Sequence, residues 1–494
     1  MKMQPEIKKA EVLSGISFTA KNAVECKVPI KEEETLEEVC SLGRVSINYI
    51  DCEQGEVRYG GKVVFSVSYG VSELKKAEVG VEFSYKTQVE GVAEGDQITA
   101  DAWLENVKLS VVNGLPTVTG AVVLKGRVEK GVEFDYIRQC DGLCVKKEEI
   151  ENSLLCGVEK KSFNIEEEFD TQIIIGEVLS HVETVKVLSV LSGIGAVAVS
   201  GEIELGMVVL PVDGTPTYHK QVIPFRHEHE IQKVMPDLIS ISTASLSDAN
   251  LKIVVDKNKE KSTVFMSADI NLTTRLYENK NLSYITDAYS LSKELSFEKS
   301  TKKACTVCAQ RYVDEKFEQS GISKSFENSR LVAPLFAKIE QIDIKNEQGE
   351  VEISGVLEVS FLLKSESGFN TQSSNVPFTI KDKTSCDKVS ISSYSVTDLS
   401  ASIDGGGITV SYKISVLLEE RCEKTFTYIY NIEEVKDKEI NLSAISVCIP
   451  SANDTLWELS KALGVPQDEI LKLNPNLTFP LTGEERVIVY RELK

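Results

Sequence analysis

Three stretches of the chain align without a gap: VRYGGKVVFSVSY (57–69), VAVSGEIELGMVV (197–209) and VEISGVLEVSFLL (351–363). In the first, Val57, Tyr59, Val63, Phe65, Val67 and Tyr69 recur at alternate positions; in the third, Val351, Ile353, Leu357, Val359, Phe361 and Leu363 do. A period of two over so many residues predicts a long strand with one buried face. A glycine interrupts that face at the same place each time: Gly61, Gly201 and Gly355. Glycine weakens a strand interior, so its recurrence predicts a bulge, a bend or a close backbone crossing.

The register continues downstream. A phenylalanine follows each glycine by 22, 24 and 23 residues, at Phe83, Phe225 and Phe378. Further alternating segments begin around ITADAWLENVKLSV, ISTASLSDANLKIV and VSISSYSVTDLSASI, and again at LPTVTGAVVLKGRV, STVFMSADINLTTRL and GITVSYKISVLLEE. With the glycines 140 and then 154 residues apart, the repeating unit is a β-rich domain, read as an antiparallel sandwich. Charged segments such as CDGLCVKKEEIENS and LSKELSFEKSTKKA read as linkers, and three such domains in tandem as an elongated scaffold.

Near residue 453 the period changes. Thr455 followed by Glu458 fits a capping box; Leu456, Leu459 and Leu463 form one helical stripe, and Gly464 is a stop signal. Val465-Pro466 opens a second helix through Ile470 and Leu473, which Asn474-Pro475 ends. With AISVCIP before and ERVIVY after, the order is strand, helix, helix, strand. Trp457 is expected to pack helix to strand first and to make a binding contact second.

Composition narrows the function. The 494 residues carry a net charge of −21, which disfavours nucleic acid or an anionic membrane as partner. Hydrophobic residues make up 42% of the chain, yet no apolar run approaches the ~20 residues of a spanning helix. The opening MKMQPEIKKAEVLSGISF lacks the apolar core of a signal peptide, so a cytoplasmic location is expected. Eleven scattered cysteines argue against a disulfide framework.

The terminal pattern resembles the LysM domain, on the residues Asp454-Thr455-Leu456-Trp457, Leu463-Gly464-Val465 and Leu471-Lys472-Leu473-Asn474. Asn453 stands where the family has glycine, and RVIVYR lacks the common Ile-Pro. The upstream repeats then resemble SPOCS (spore-coat) domains of endospore-forming bacteria. The resemblance implies a tail at 1–20, SPOCS-like repeats at 21–137, 160–288 and 309–435, and a LysM domain at 444–492. It implies a mother-cell protein at the forespore surface, a scaffold of coat assembly whose LysM domain docks a SpoIVA-like ATPase. The alternative is a LysM that binds peptidoglycan or other N-acetylglucosamine polymers. By the same resemblance the ligand groove comprises Asn453, Asp454, Thr455, Leu456, Asn474, Pro475, Asn476 and Leu477.

Other candidate chemistry is thin. His227 and His229 in RHEHE share a strand face, but a metal would need further ligands; a solvated strand edge is the expectation. Cys305-Thr-Val-Cys308 is a lone pair of cysteines, a weak signal for half a zinc site with Cys140 and Cys144 or for a redox pair. No phosphate loop, nucleophile elbow or dinucleotide motif is present in the sequence. The expectation is a non-enzymatic protein with no catalytic residue, metal or cofactor.

Overall fold

The computed structural model describes residues 3–30, 38–70, 74–256, 261–322, 329–404, 407–438 and 445–490, apart from Gly114, Asp213, Gln232, Lys233 and Ser367. It is mainly antiparallel β-structure. The first repeat is β1 (Gln4–Lys27), β2 (Glu38–Glu53), β3 (Glu56–Tyr69), β4 (Lys75–Gln88), β5 (Gln97–Val112) and β6 (Leu115–Asp141). The second is β7 (Cys144–Thr171), β8 (Ile175–Ser192), β9 (Ala196–Pro211), β10 (Thr217–Glu230), β11 (Ile239–Asp256) and β12 (Lys261–Tyr289). The third is β13 (Lys293–Gln319), β14 (Arg330–Glu347), β15 (Glu350–Ser365), β16 (Gly368–Lys383), β17 (Lys388–Asp404) and β18 (Gly407–Asp437). A smaller unit follows: β19 (Ile445–Cys448), α1 (Leu456–Leu463), α2 (Gln467–Leu473) and β20 (Val487–Tyr490).

Each repeat folds the same way. Its second, third and fourth strands form one meander, β2-β3-β4, β8-β9-β10 or β14-β15-β16. Its first, last and fifth strands form the other sheet, β1-β6-β5, β7-β12-β11 or β13-β18-β17. The two sheets face each other across an apolar core. Tyr59, Phe65, Val118 and Leu124 fill the first, Ile203, Met207, Val264 and Ile270 the second, and Ile353, Phe361, Val410 and Tyr412 the third. Every alternate residue expected on the buried faces of β3 and β15 is buried.

The repeated glycine has a common cause. In each meander it lies beside a bulge in the preceding strand, at Ile47/Tyr49, Val187/Ser189 and Ile339/Gln341. It also faces the downstream phenylalanine across the ladder: Gly61 and Phe83, Gly201 and Phe225, Gly355 and Phe378. A Cβ on Gly201 would stand 2.3 Å from the Lys186 carbonyl oxygen and 2.3 Å from the Phe225 ring; on Gly355, 2.3 Å from the Gln341 carbonyl and 2.6 Å from Phe378. At Gly201 and Gly355 the bulge thus brings backbone over the glycine on one side and an aromatic ring covers it on the other; at Gly61 the backbone of Ser46 and Ile47 closes in.

The three repeats close on one another instead of extending in tandem. The segment expected as a tail at 1–20 is, from Gln4 onward, the larger part of β1, paired with β6 out to Asp141. Residues 1 and 2 lie outside the described residues. The charged segments read as linkers, 140–153 and 291–304, are the end of β6 and the outer halves of β7 and β13, with tight turns at 142–143 and 290–292. The outer halves form three two-stranded ribbons, β1/β6, β7/β12 and β13/β18, whose inner faces meet. Val12, Phe134, Ile150, Tyr284, Phe426 and Tyr428 make one shared layer, and Ile137, Ile285, Ile429 and Ile432 another. A second junction joins the meanders through Val39, Leu179, Val208, Leu335 and Leu362. Such short turns leave adjacent ribbons no route except side-by-side packing.

Polar contacts stitch the same interfaces. Asn152 Nδ2 donates to the Glu11 carbonyl (3.0 Å) while its Oδ1 accepts from Cys305 N (3.2 Å). Gln310 closes a two-way amide pair with the Ser242 backbone (3.0 and 2.9 Å). The buried Lys186 Nζ reaches from the second repeat to Asp314 (3.0 Å) and Ser415 (2.9 Å) of the third.

At the base of the ribbons lies a buried ionic cluster with a member from every repeat. Arg275 of β12 bonds Glu129 of β6 (3.1 Å) and Glu419 of β18 (2.5 Å); Arg421 bonds Glu129 (2.5 Å) and Glu419, and the Tyr277 hydroxyl donates to Glu129. The four charged side chains are at most 7% exposed. Burial pushes the Glu419 carboxyl up, but Arg275 and Arg421 outweigh it and hold it at about 2. Glu129 is lowered in the same way, Arg421 and Arg275 overcoming its burial. Both pKa values are depressed by folding. Their contribution to stability is therefore complete above the ordinary carboxylate range and is lost as pH falls through the folded values, for Glu419 about 2.

Two outcomes follow. Gly201→Val should cost about 1–3 kcal/mol through overpacking against Lys186 and Phe225, read as a lower thermal midpoint; an unchanged midpoint would remove the structural role of the repeated glycine. Glu129→Ala leaves Arg275 and Arg421 sharing one carboxylate in a dry site and should cost about 3–5 kcal/mol in denaturant titration.

Candidate functional site

The small terminal unit carries the sequence-predicted site. Thr455 caps α1: its Oγ1 accepts from Glu458 N (3.3 Å), and Glu458 Oε2 accepts from Thr455 N (2.8 Å). Gly464 ends the helix in the left-handed conformation, φ 64°. Leu459, Val465, Ile470, Leu481, Val487 and Val489 close a core beneath the two helices, with Leu456 and Leu463 partly buried against it. The outermost residues assigned to this unit, 444, 491 and 492, lie outside the described residues.

The groove residues of the sequence analysis fall on two loops, and most of their polar groups already have partners. Asn453 adopts φ 71°, and its N–H donates to the Leu481 carbonyl (2.7 Å). Asp454 Oδ2 accepts from Ser451 N (2.9 Å), and its carbonyl accepts from Leu481 N (3.0 Å). Thr455 is committed to the cap. Asn474 spends both ends of its amide on β20, donating to the Ile488 carbonyl (2.7 Å) and accepting from Ile488 N (2.8 Å). Leu456 and Leu477 turn into the core, while Pro475 and Asn476 are exposed.

Trp457 packs as expected before anything else, but on another repeat. Its indole N–H donates to Asp287 Oδ2 of β12 (2.8 Å), and its ring meets Tyr289 edge-on at 5.1 Å. Lys461 Nζ also bonds Asp287 (2.6 and 2.7 Å), and the Tyr289 hydroxyl donates to the Val465 carbonyl (2.9 Å). Burial raises the Asp287 carboxyl, yet Lys461 and Trp457 together hold it below its usual value. One flank of the helical layer is thus docked on the ribbons.

The two-stranded sheet is covered on one side only. Val487 and Val489 point under the helices, whereas Ile445 (68% exposed) faces Tyr490 (48%) and Val447 (60%) faces Ile488 (44%) on the outer side. Ile449 (72%), two residues past Val447, continues the row. These five residues were absent from the expected site. The signal was in the sequence: ISVCI and VIVY put apolar residues at positions facing away from α1 and α2, the helices among the described residues.

The histidines are not on a solvated edge. His227 stacks on Phe163 with centroids 4.1 Å apart, His229 is buried beside it, and His219 stacks on Phe169 at 5.9 Å. β10 turns all three toward the opposite sheet with Ile223 and Phe225, so they act as neutral aromatic plates. Burial lowers the pKa of each; for His227 the nearby Lys161 adds to it, and for His229 the neighbouring His227 does.

The weighed cysteines separate. Cys140 lies in the Ile285–Ile429 layer, and Cys305 packs beside Leu13 and Tyr277, 3.9 Å from an Arg421 nitrogen. Cys308 turns the other way, to Cys422 and Cys386, a grouping hidden from sequence by separations far longer than a C-x-x-C motif.

Against known families, residues 36–112 match the family described as "SipL, SPOCS domain", a match that points to a sporulation-related role. The matched stretch contains β2, β3, β4 and β5 of the first repeat. No curated protein and no solved structure matches the chain.

The buried histidines set a pH dependence. Their folded pKa values lie below the unfolded value, 6.5, so stability is full above that value and is lost as pH falls below it. The difference in thermal midpoint between pH 7.5 and pH 5.5 should shrink in the double variant His227→Phe, His229→Phe. An identical difference in the variant would show that these imidazoles do not titrate against folding.

Proposed function

We propose that the chain is a non-enzymatic scaffold of the spore envelope, working at the forespore surface in the mother cell and docking a coat-assembly ATPase through a LysM-like terminal unit. The observation that carries this reading is the uncovered apolar row Ile445, Val447, Ile449, Ile488 and Tyr490, a surface of the composition that protein interfaces bury. Residues 36–112 supply the link to sporulation. The other two repeats share the strand order of the matched stretch and its glycine–phenylalanine pairs, which supports reading all three as SPOCS-like. The strand-helix-helix-strand order supports the LysM-like reading.

Peptidoglycan is the rival ligand. A sugar chain needs free hydrogen-bond groups and an aromatic face on which to lie. Here Asn474 is fully engaged with β20, Asp454 with Ser451 and Leu481, and Trp457 with Asp287 and Tyr289. The loops that the family uses for glycan therefore offer little, and a protein partner fits better.

Ile488→Asp places a charge in the middle of the apolar row at small cost to folding, because the side chain is already exposed. Capture of the sporulation ATPase by the full chain should fall at least about tenfold, the loss of about 1.4 kcal/mol of binding, with no sedimentation of either protein with insoluble peptidoglycan. Tight sedimentation of the unaltered chain with peptidoglycan and no ATPase capture would transfer the function to the glycan anchor.

A further inference from the structure

We propose that Cys308, Cys386 and Cys422 form a zinc site in the third repeat. Their three sulfur atoms lie within 4.8 Å of one another, and Cys308 Sγ stands 3.5 Å from Cys422 Sγ. Tetrahedral zinc with Zn–S bonds of about 2.3 Å separates its sulfurs by roughly 3.8 Å. The cluster therefore needs adjustments of tenths of an ångström to about one ångström, within reach of rotation about the Cα–Cβ bonds. Hard cations prefer oxygen, so three sulfurs and no carboxylate in the group select a thiophilic ion.

The backbone is arranged for this convergence. The β13–β18 ladder slips between Val307 and Ala309, leaving Cys308 as the extra residue of a bulge. Its neighbours Cys305 and Val307 pack toward Leu13 and Tyr277, and Cys308 is turned to the opposite side with Cys422. Bulges are a common means of re-aiming a side chain. Cys386 sits in the turn between β16 and β17. Its N–H donates to Thr384 Oγ1 (3.0 Å), its carbonyl accepts from Asn346 Nδ2 (2.9 Å), and Thr384 N is tied to the Gly349 carbonyl (3.0 Å). The thiol on the turn is thereby held against the two on the hairpin.

On binding, each thiol yields its proton to solvent and its sulfur donates an electron pair to the metal; no oxidant or reductant is required. Three protein ligands leave a fourth position for water. The bound ion cross-links the β13/β18 ribbon to the end of the β14-β15-β16 meander, so it joins the two sheets of the third repeat.

The test uses the full chain, untagged and grown with zinc. Elemental analysis should find about one zinc per chain. Removing it with a chelator should lower the thermal midpoint, and cobalt(II) added to the stripped protein should produce thiolate charge-transfer absorption. Cys386→Ser should lower zinc affinity at least tenfold, while the exposed Cys156→Ser should leave it unchanged. Should Cys386→Ser fold poorly, metal titration of the stripped unaltered chain decides alone. Zinc-free protein that takes up no cobalt, or a native Cys308–Cys422 disulfide in peptide mass mapping, would overturn the proposal.

Discussion

The closed arrangement of the three repeats depends on the ionic cluster beneath the ribbons. The first repeat brings Glu129, the second Arg275, and the third Glu419 and Arg421. Arg127 of β6 also pairs with Glu129 (3.0 Å) from a more exposed position, so three arginines share two carboxylates in a largely buried site. Removing them from water is expensive, and their attraction offsets that cost only while all are present with good geometry. The apolar layers above supply the net stabilisation, because burial of Phe134, Tyr284, Phe426 and their neighbours is favourable for any pair of ribbons. The charges make the arrangement selective. Side chains alternate along a strand, so a one-residue slip of β6 would turn Glu129 out of the cluster and leave Arg275 and Arg421 sharing Glu419. No single repeat assembles the whole cluster, and together with the shared apolar layers it makes the molecule one body with three sandwiches and not three beads.

The strands are unusually long for the same reason. β6, β7, β12, β13 and β18 each serve a sandwich at one end and the ribbons at the other. A strand of that length accumulates twist, and bulges bend it and increase the twist locally. Those bulges then do local work. One at Val187/Ser189 brings the Lys186 carbonyl over Gly201 while the Lys186 side chain reaches into the third repeat. Another, at Val307/Ala309, turns Cys308 toward two distant thiols. The terminal unit uses the ribbons as a seat: Asp287 and Tyr289 hold α1 by Trp457 and Lys461. That docking leaves the outer face of β19 and β20 as the side free to meet a partner.

The sequence by itself determined the repeat, its alternating buried faces, the position of the glycine and its phenylalanine, and the capped helix at Thr455. These are consequences of local rules: a period of two, a residue without a side chain where backbone crosses, a threonine three residues before a glutamate. It also held the apolar row on β19 and β20, as a second alternation that the helices could not cover. Only the tertiary structure decided that a supposed tail is the larger part of a strand, that charged segments are ribbons, that the histidines face inward onto phenylalanines, and that Cys308 meets Cys386 and Cys422 instead of Cys305. Each of those outcomes rests on contacts between residues tens to hundreds of positions apart. Charge along a strand says which residues tolerate water, but burial depends on what another repeat places opposite them, and no local pattern records that.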